Sequence, residues 1–347
     1  VIVATRQSSL LELGASTRAA LALERAFKIL EVKGDTMKST VQMLFKMIFR
    51  LVEILMPALA GRWATSLFLT PIKNKRPDYE SEFIQDAIIQ KIPIVESYDQ
   101  SLTNPYYVKY SWGRGMPILL IHGWAGRGSQ VAALAKPLVE AGYKVITFDA
   151  LAHGDSPGKK TTLPEFVRVI QHIAAKEGKF RAMIGHSFGG VAMALAVNDG
   201  VEAEKLITIG SPASMAFIFE EFGKQINASH TSTKKIGTYI ETLTQRHIDD
   251  FSLKNLVLTL TQPSLIIHDK NDKEVDYGQS LILANSWLGS KHILTENLGH
   301  RRILRDSNTI SKIVEFITTH KIEVNGYNSE VEFKGQKLVA MSTDLSF

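Results

Sequence analysis

The residue of this 347-residue chain best placed to do chemistry is a serine at the centre of Gly185-His186-Ser187-Phe188-Gly189. An apolar run over 180–185 precedes it, and a small-residue run suited to a helix follows over 189–198. G-x-S-x-G between strand and helix is a tight turn that pushes the serine hydroxyl out over a sheet edge. The helix that starts there aims its first N–H groups at the same point, where they favour developing negative charge. A serine hydroxyl attacks poorly until a base removes its proton, and that base needs an orienting acid. Ten histidines are available. His300, in Leu298-Gly299-His300-Arg301, stands after the last strand and just before the C-terminal helix, where such a base belongs. Asp269, Asp272 and Asp276 compete for the acid. Asp272 is preferred, because it lies in the turn after the 264–269 run, where a carboxylate can reach back over the sheet edge. Upstream, His122-Gly123-Trp124 ends the apolar run 117–122. A glycine-relieved turn there can direct the Trp124 backbone N–H at an oxyanion, with the Phe188 N–H as second donor. His122 and His186 read as structural, and the 148–156 loop as a scaffold turn.

These residues need a frame. From about residue 105 short apolar runs alternate with helical patterns: strands over 106–112, 117–122, 143–149, 180–185, 205–210 and 264–269, and helices over 130–141, 164–177, 189–198 and 308–320. Such alternation implies a parallel sheet covered on both faces. Residues 213–262 are too long for one crossover. Their apolar patterns, 215–222 and 239–251, flank a polar stretch at 227–235 and read as a helical cap over the sheet edge. Within the cap, Met215 and Phe219 are candidates to line an apolar acyl pocket.

His122-Gly123-Trp124-Ala125-Gly126, Asp149 to Ser156, Gly185 to Gly189, Ile267 to Asp272 and Gly299-His300 together resemble the successive landmarks of the α/β-hydrolase superfamily, in its esterase/lipase-like branch. The resemblance covers about 105–320. It implies an α/β fold with a mostly parallel eight-stranded sheet flanked by helices, a triad of Ser187, Asp272 and His300, and an oxyanion hole at Trp124 and Phe188. It implies no metal and no organic cofactor. Two departures stand out. Asp269 occupies a position where glycine is common after the strand-end histidine, and the oxyanion turn is His-Gly-Trp rather than His-Gly-Gly-Gly.

The organisation that follows is a non-native or disordered extension over 1–36, an amphipathic helix and lead-in over 37–104, a core over 105–212 and 263–320 interrupted by the 213–262 cap, and a tail over 321–347. In the 41–60 segment, Leu44, Ile48, Leu51, Leu55 and Leu59 recur at helical spacing, with Gln42, Lys46, Arg50 and Glu53 on another face. It fits a helix docked on the core, a membrane-surface anchor, or a signal peptide starting at Met37; Arg50, Glu53 and Pro57 argue against a simple span. The net charge is +5, and residues 37–80 alone carry seven basic residues against three acidic. No nucleic-acid module is recognisable. Cysteine is absent, which excludes disulfides, zinc-thiolate sites and a cysteine nucleophile. The expected activity is hydrolysis of a small-molecule carboxylic ester with a short or medium acyl chain. Rival uses of the same triad are acyltransfer, perhydrolysis, and thioester, amide or C–C cleavage; a non-catalytic binding protein is the rival of another class. The expected location is cytoplasmic, with peripheral membrane contact through 41–69 as one reading and secretion as the weaker one.

Overall fold

The computed structural model describes residues 35–95 and 97–319, with side chains from residue 42 onward. Apart from the backbone of residues 35 and 36, the expected extension over 1–36 lies outside the described residues, as does the expected tail over 321–347. Two helices come first, α1 (Asp35–Leu55) and α2 (Pro57–Phe68). The strands are β1 (Ile88–Pro93), β2 (Tyr106–Trp112), β3 (Pro117–Ile121), β4 (Lys144–Asp149), β5 (Ala182–His186), β6 (Leu206–Ile209), β7 (Ser264–Asp269) and β8 (Lys291–Thr295). Among them run the longer helices α3 (Leu163–Glu177), α4 (Phe188–Asn198), α5 (Met215–Ile226), α6 (His230–Thr244) and α7 (Gly278–Ser286), and α8 (Ser307–Thr318) closes the described chain.

The eight strands form one sheet in the order β1-β2-β4-β3-β5-β6-β7-β8. β2 is antiparallel to both its neighbours, and β4 to β8 run parallel through β3. This is the mostly parallel sheet the sequence led us to expect. Its central strands are short because they are apolar on both faces: every residue of β3, β5, β6 and β7 is buried. The strand order reverses between β3 and β5, and a crevice opens beyond the carboxyl ends of strands at such a switch point. The His122-Gly123-Trp124 turn leaves β3, and the Ser187 turn leaves β5, so the topology itself places them side by side.

Several elements differ from the sequence expectation. The sheet starts before residue 105, since Ile88–Pro93 pairs along β2 as an edge strand exposed along most of its length. The expected helix over 130–141 is broken into Gly128–Val131, a 3-10 turn at Ala132–Leu134 and Ala135–Glu140. Pro137 in its middle lacks the N–H that a continuous helix would use. The polar stretch 227–235 is mostly helix: only 227–229 turn, with Asn227 in the left-handed region, and Ser229 caps α6 by accepting from the Ser232 N–H.

The N-terminal helices belong to the cap rather than to the sheet. Pro57 at the first turn of α2 separates it from α1, where a ring without an N–H is best tolerated. The Glu53 carboxylate accepts from the backbone N–H (2.9 Å) and hydroxyl (2.6 Å) of Ser229 at the start of α6. Lys235 of α6 donates to the Pro57 carbonyl at 3.0 Å. A Cβ on Gly61 would meet Lys235 and Tyr239 at 2.8–3.3 Å, so this glycine allows α2 and α6 to pack closely. Phe45, Phe49 and Trp63 form an aromatic cluster with ring centroids 5.3–6.3 Å apart. The orientation of α1 corrects the sequence reading. Leu44, Leu51 and Leu55, on the apolar face that only the docked-helix reading would cover, are 54–69% exposed, whereas Glu53, assigned to another face, is buried at 7%. No helix of the described residues is long and apolar enough to cross a membrane.

Candidate active site

Ser187 sits at φ 53° and ψ −124°, between the last residue of β5 and the first of α4. Backbone there costs a non-glycine residue on the order of 1–3 kcal/mol and persists only where surrounding structure imposes it. Three contacts impose it. The Ser187 N–H donates to the Ile209 carbonyl at the end of β6, at 2.9 Å. A Cβ on Gly185 would lie 2.5 Å from Gly189 and Gly190 backbone atoms, and one on Gly189 would lie 2.4 Å from the Ile121 carbonyl oxygen. The motif glycines therefore serve close approach: α4 starts hard against the ends of β3 and β5.

The three competing carboxylates separate clearly by their partners. Asp276 is exposed and accepts from the Gly278 N–H, capping α7. Asp269 is buried and turns to the loop before His300: its Oδ1 accepts from the N–H of Asn271 and Gly299 at 2.9 Å, its Oδ2 from the Thr295 hydroxyl at 2.8 Å and the Leu298 N–H at 3.0 Å. Asp272 meets His300 itself, with His300 Nδ1 2.6 Å from its Oδ2. Asp272 Oδ1 accepts from the Glu274 and Val275 N–H groups at 2.8 and 2.9 Å. Burial alone would raise the Asp272 carboxyl, but hydrogen bonds from His268 and His300 outweigh it and hold it well below the ordinary carboxylate range. A charged Asp272 fixes the proton of neutral His300 on Nδ1, which leaves Nε2 as an acceptor.

Ser187 and the His300–Asp272 pair both border the end of β6. Ile209 receives the Ser187 N–H, and a Cβ on the next residue, Gly210, would lie 3.2 Å from His300 Nδ1 and 3.4 Å from Asp272 Oδ2. His186 ties the two loops together. Its Nε2 donates to the His300 carbonyl at 2.9 Å, with the rings 4.6 Å apart. Burial, and then the neighbouring His300, push His186 well below its ordinary pKa, so it is neutral. Likewise His122 donates from Nδ1 to the Gly123 carbonyl (2.7 Å) and accepts the Ala150 N–H on Nε2 (3.1 Å). Burial lowers its pKa to about 4. His122 thus pins the turn that carries Trp124. A Cβ on Gly123 would lie 2.9 Å from the Ser187 Cβ, so this turn rests directly on the serine.

The far end of the same turn is anchored by charge. Arg127 forms a buried two-point pair with Glu80, Nε to Oε2 at 2.6 Å and Nη2 to Oε1 at 2.8 Å, and Ser129 donates to the same carboxylate. The Gly128 N–H donates to Asp149 at 2.7 Å, and so do Tyr110 and the Asp155 N–H at 2.9 and 2.8 Å. The 148–156 loop is accordingly a scaffold for the turn.

Beside Trp124 and Phe188 lies an apolar space of about 20 Å³, little more than one water requires. Met215 lines it. Phe219 does not: it packs behind the wall on Phe68, ring centroids 5.2 Å apart. Phe68 at the end of α2, Leu69 just after it, Leu163 from α3 and Ile240 from α6 complete much of the lining. Phe68 is not legible from residue patterns, since nothing in the N-terminal segment points to the site. His268 also escaped notice. Fully buried, it shares Nε2–H between the Val275 carbonyl (2.9 Å) and Asp272 Oδ2 (3.4 Å). Among the described residues no group of three or more histidines and carboxylates could hold a metal ion.

Residues 116–231 match a family model described as the alpha/beta hydrolase fold. The chain is 29% identical over 171 residues to the zebrafish (Danio rerio) sn-1-specific diacylglycerol lipase ABHD11, covering 48% of this chain and 53% of that one. It is 33% identical over 111 residues to the human serine hydrolase-like protein, covering 29% of this chain and 54% of that one. The chain thus spans about half the length of these curated relatives. Among solved structures, an esterase from Exiguobacterium antarcticum superposes with a TM-score of 0.51 at 18% identity, over 66% of this chain and all of that one. A lipase-like protein from Acinetobacter baumannii gives the same TM-score and identity over 71% and 97%. At that identity the two structures speak for the fold alone.

Proposed function

We propose that this chain, whose residues 116–231 match the alpha/beta hydrolase fold, is a serine esterase of the α/β-hydrolase superfamily, cleaving short- to medium-chain carboxylic esters through an acyl-enzyme intermediate. The observation that carries the reading is the 2.6 Å contact of His300 Nδ1 with Asp272 beside a serine held at positive φ. Ser187 Oγ attacks the ester carbonyl carbon while His300 Nε2 takes its proton. The oxyanion is held by the N–H groups of Trp124 and Phe188. Collapse breaks the C–O bond, and His300 returns the proton to the departing alkoxide. Water then attacks the acyl-enzyme, with His300 again accepting a proton, and Ser187 is regenerated. Asp272 stays ionised and steadies the imidazolium.

The match to diacylglycerol lipases supports an ester bond. The tight space beside Trp124 favours a small acyl group, because a long chain would have to displace Phe68 or Met215 and the helices that carry them. The test is release of p-nitrophenol from esters running from acetate to palmitate, by the native protein and by Ser187→Ala. Turnover should be highest on the short esters and fall by at least about a thousandfold in the variant. Equal rates for the two proteins on every ester would remove the proposal.

A further inference from the structure

α1 is apolar on two faces, and only one of them is used. Phe45, Phe49 and Val52 face the cap, joined there by Glu53. On the opposite side Met43, Leu44, Met47, Leu51, Ile54 and Leu55 form one stripe, each 54–69% exposed. At 1.5 Å per residue the stripe is about 20 Å long. Scattered exposed apolar residues are ordinary, but a contiguous stripe of six large ones is the mark of an interaction surface.

Charge identifies the occupant. Lys46 and Arg50 lie along one border of the stripe by helical spacing, and Arg62 stands exposed on α2. Glu53 is the one acidic residue of 42–69, and it is turned inward to Ser229 and Arg50. Lys235 of α6 reaches the α1–α2 junction through the Pro57 carbonyl. Over residues 42–69, where side chains are described, the outward surface of α1 and α2 therefore combines an apolar stripe with cations and no exposed carboxylate. Two copies of the chain joined through this face would set cations against cations. An anionic bilayer would take the apolar side chains below its headgroups and pair the cations with lipid phosphate, as interfacial amphipathic helices do. We propose that α1 docks this protein on anionic membrane surfaces, lying in the interface without spanning it. Such docking would hold α2, which carries Phe68 of the cavity wall, near the lipid. The docking does not depend on the esterase reading, and its test reads binding alone.

The experiment is co-sedimentation of the full chain with vesicles of phosphatidylcholine, or of phosphatidylcholine and phosphatidylglycerol in equal parts. Native protein and the double variant Met47→Glu/Leu51→Glu are compared; both positions are exposed, so the fold should hold, and an unchanged melting temperature checks it. The native protein should pellet with the anionic vesicles and do so less as salt rises. The double variant should partition at least tenfold more weakly. Ser187→Ala should bind like the native protein. The proposal is overturned if the native protein stays in solution with both vesicle types, or if the double variant pellets equally. A native dimer by light scattering that the double variant converts to monomer would also overturn it, in favour of self-association.

Discussion

Asp269→Asn is the substitution that most directly probes how the His300 loop is held. The Asp269 carboxylate accepts four hydrogen bonds, and two of them come from Leu298 and Gly299, the residues immediately before the histidine. These bonds hold its pKa below the ordinary value although burial works the other way. An asparagine has the same shape but only one accepting oxygen. If that oxygen keeps Asn271 and Gly299, its NH2 group faces the Leu298 N–H and the Thr295 hydroxyl. The hydroxyl can rotate to accept; the Leu298 N–H cannot. One poorly paired buried donor costs about 1–3 kcal/mol, and turning two charge-assisted bonds into neutral ones costs about 1 kcal/mol more. The expected loss is about 3 kcal/mol, read as a shift in the urea midpoint at neutral pH. Turnover on p-nitrophenyl acetate should fall at least tenfold through kcat, because His300 shifts. KM should hardly move, because Asp269 lies off the cavity. Since the native contribution depends on a charged carboxylate, it is complete above about pH 4 and is lost as pH falls below that. A variant within about 1 kcal/mol of the native stability, with kcat within twofold, would refute the clamp.

Two further perturbations test the frame around the serine. Glu80→Ala leaves the buried Arg127 guanidinium without its carboxylate, and breaking such a pair costs about 3–5 kcal/mol; a drop in unfolding free energy below about 1 kcal/mol would show that the turn after β3 is held elsewhere. His122 is neutral in the fold down to about pH 4 but charges near pH 6.5 when unfolded. Between those values the unfolded chain binds a proton that the folded one does not, so stability falls as pH falls, by about 1.4 kcal/mol per unit and about 3 kcal/mol in all. Burial raises the carboxyls of Asp149 and Glu165, which act in the opposite sense. The informative measurement is therefore the difference in slope between native protein and His122→Gln from pH 7 to pH 5; parallel slopes would contradict a neutral His122.

What was legible in the sequence depended on whether a local rule decided the outcome. The central strands were legible because burial on both faces forces an unbroken apolar run such as Ile118 to Ile121. β1 and β8 went unnoticed because edge strands are under no such constraint: Gln90 and Lys91 sit in one, Lys291 and His292 in the other. Ser187 was legible because close approach of α4 to β3 and β5 demands glycine at 185 and 189, and the demand shows as a motif. The acid was a different matter. Asp269, Asp272 and Asp276 lie within eight residues, and spacing cannot say which N–H groups each will meet.

The two surprises in the sequence reading have one physical origin. Asp269, where glycine is common, looked like a rival acid, yet its partners come from β8 and the 297–299 loop, about thirty residues on. Glu53 looked like a solvent-facing residue, yet its partner is Ser229, 176 residues on. In both cases a carboxylate was buried by donors that arrive from elsewhere in the chain, and a buried carboxylate so satisfied holds its place where helical periodicity or strand alternation alone would not. For α1 this has a consequence. With Glu53 bound inward and Phe45, Phe49 and Val52 beside it, the helix cannot rotate to hide Leu44, Leu51 and Leu55 without stripping Glu53 of both Ser229 bonds. Such a rotation would also uncover Phe45, Phe49 and Val52 in exchange for the stripe, so it would gain little. The exposed stripe is thus a fixed feature of the fold, held outward by the same contact that joins α1 to the cap.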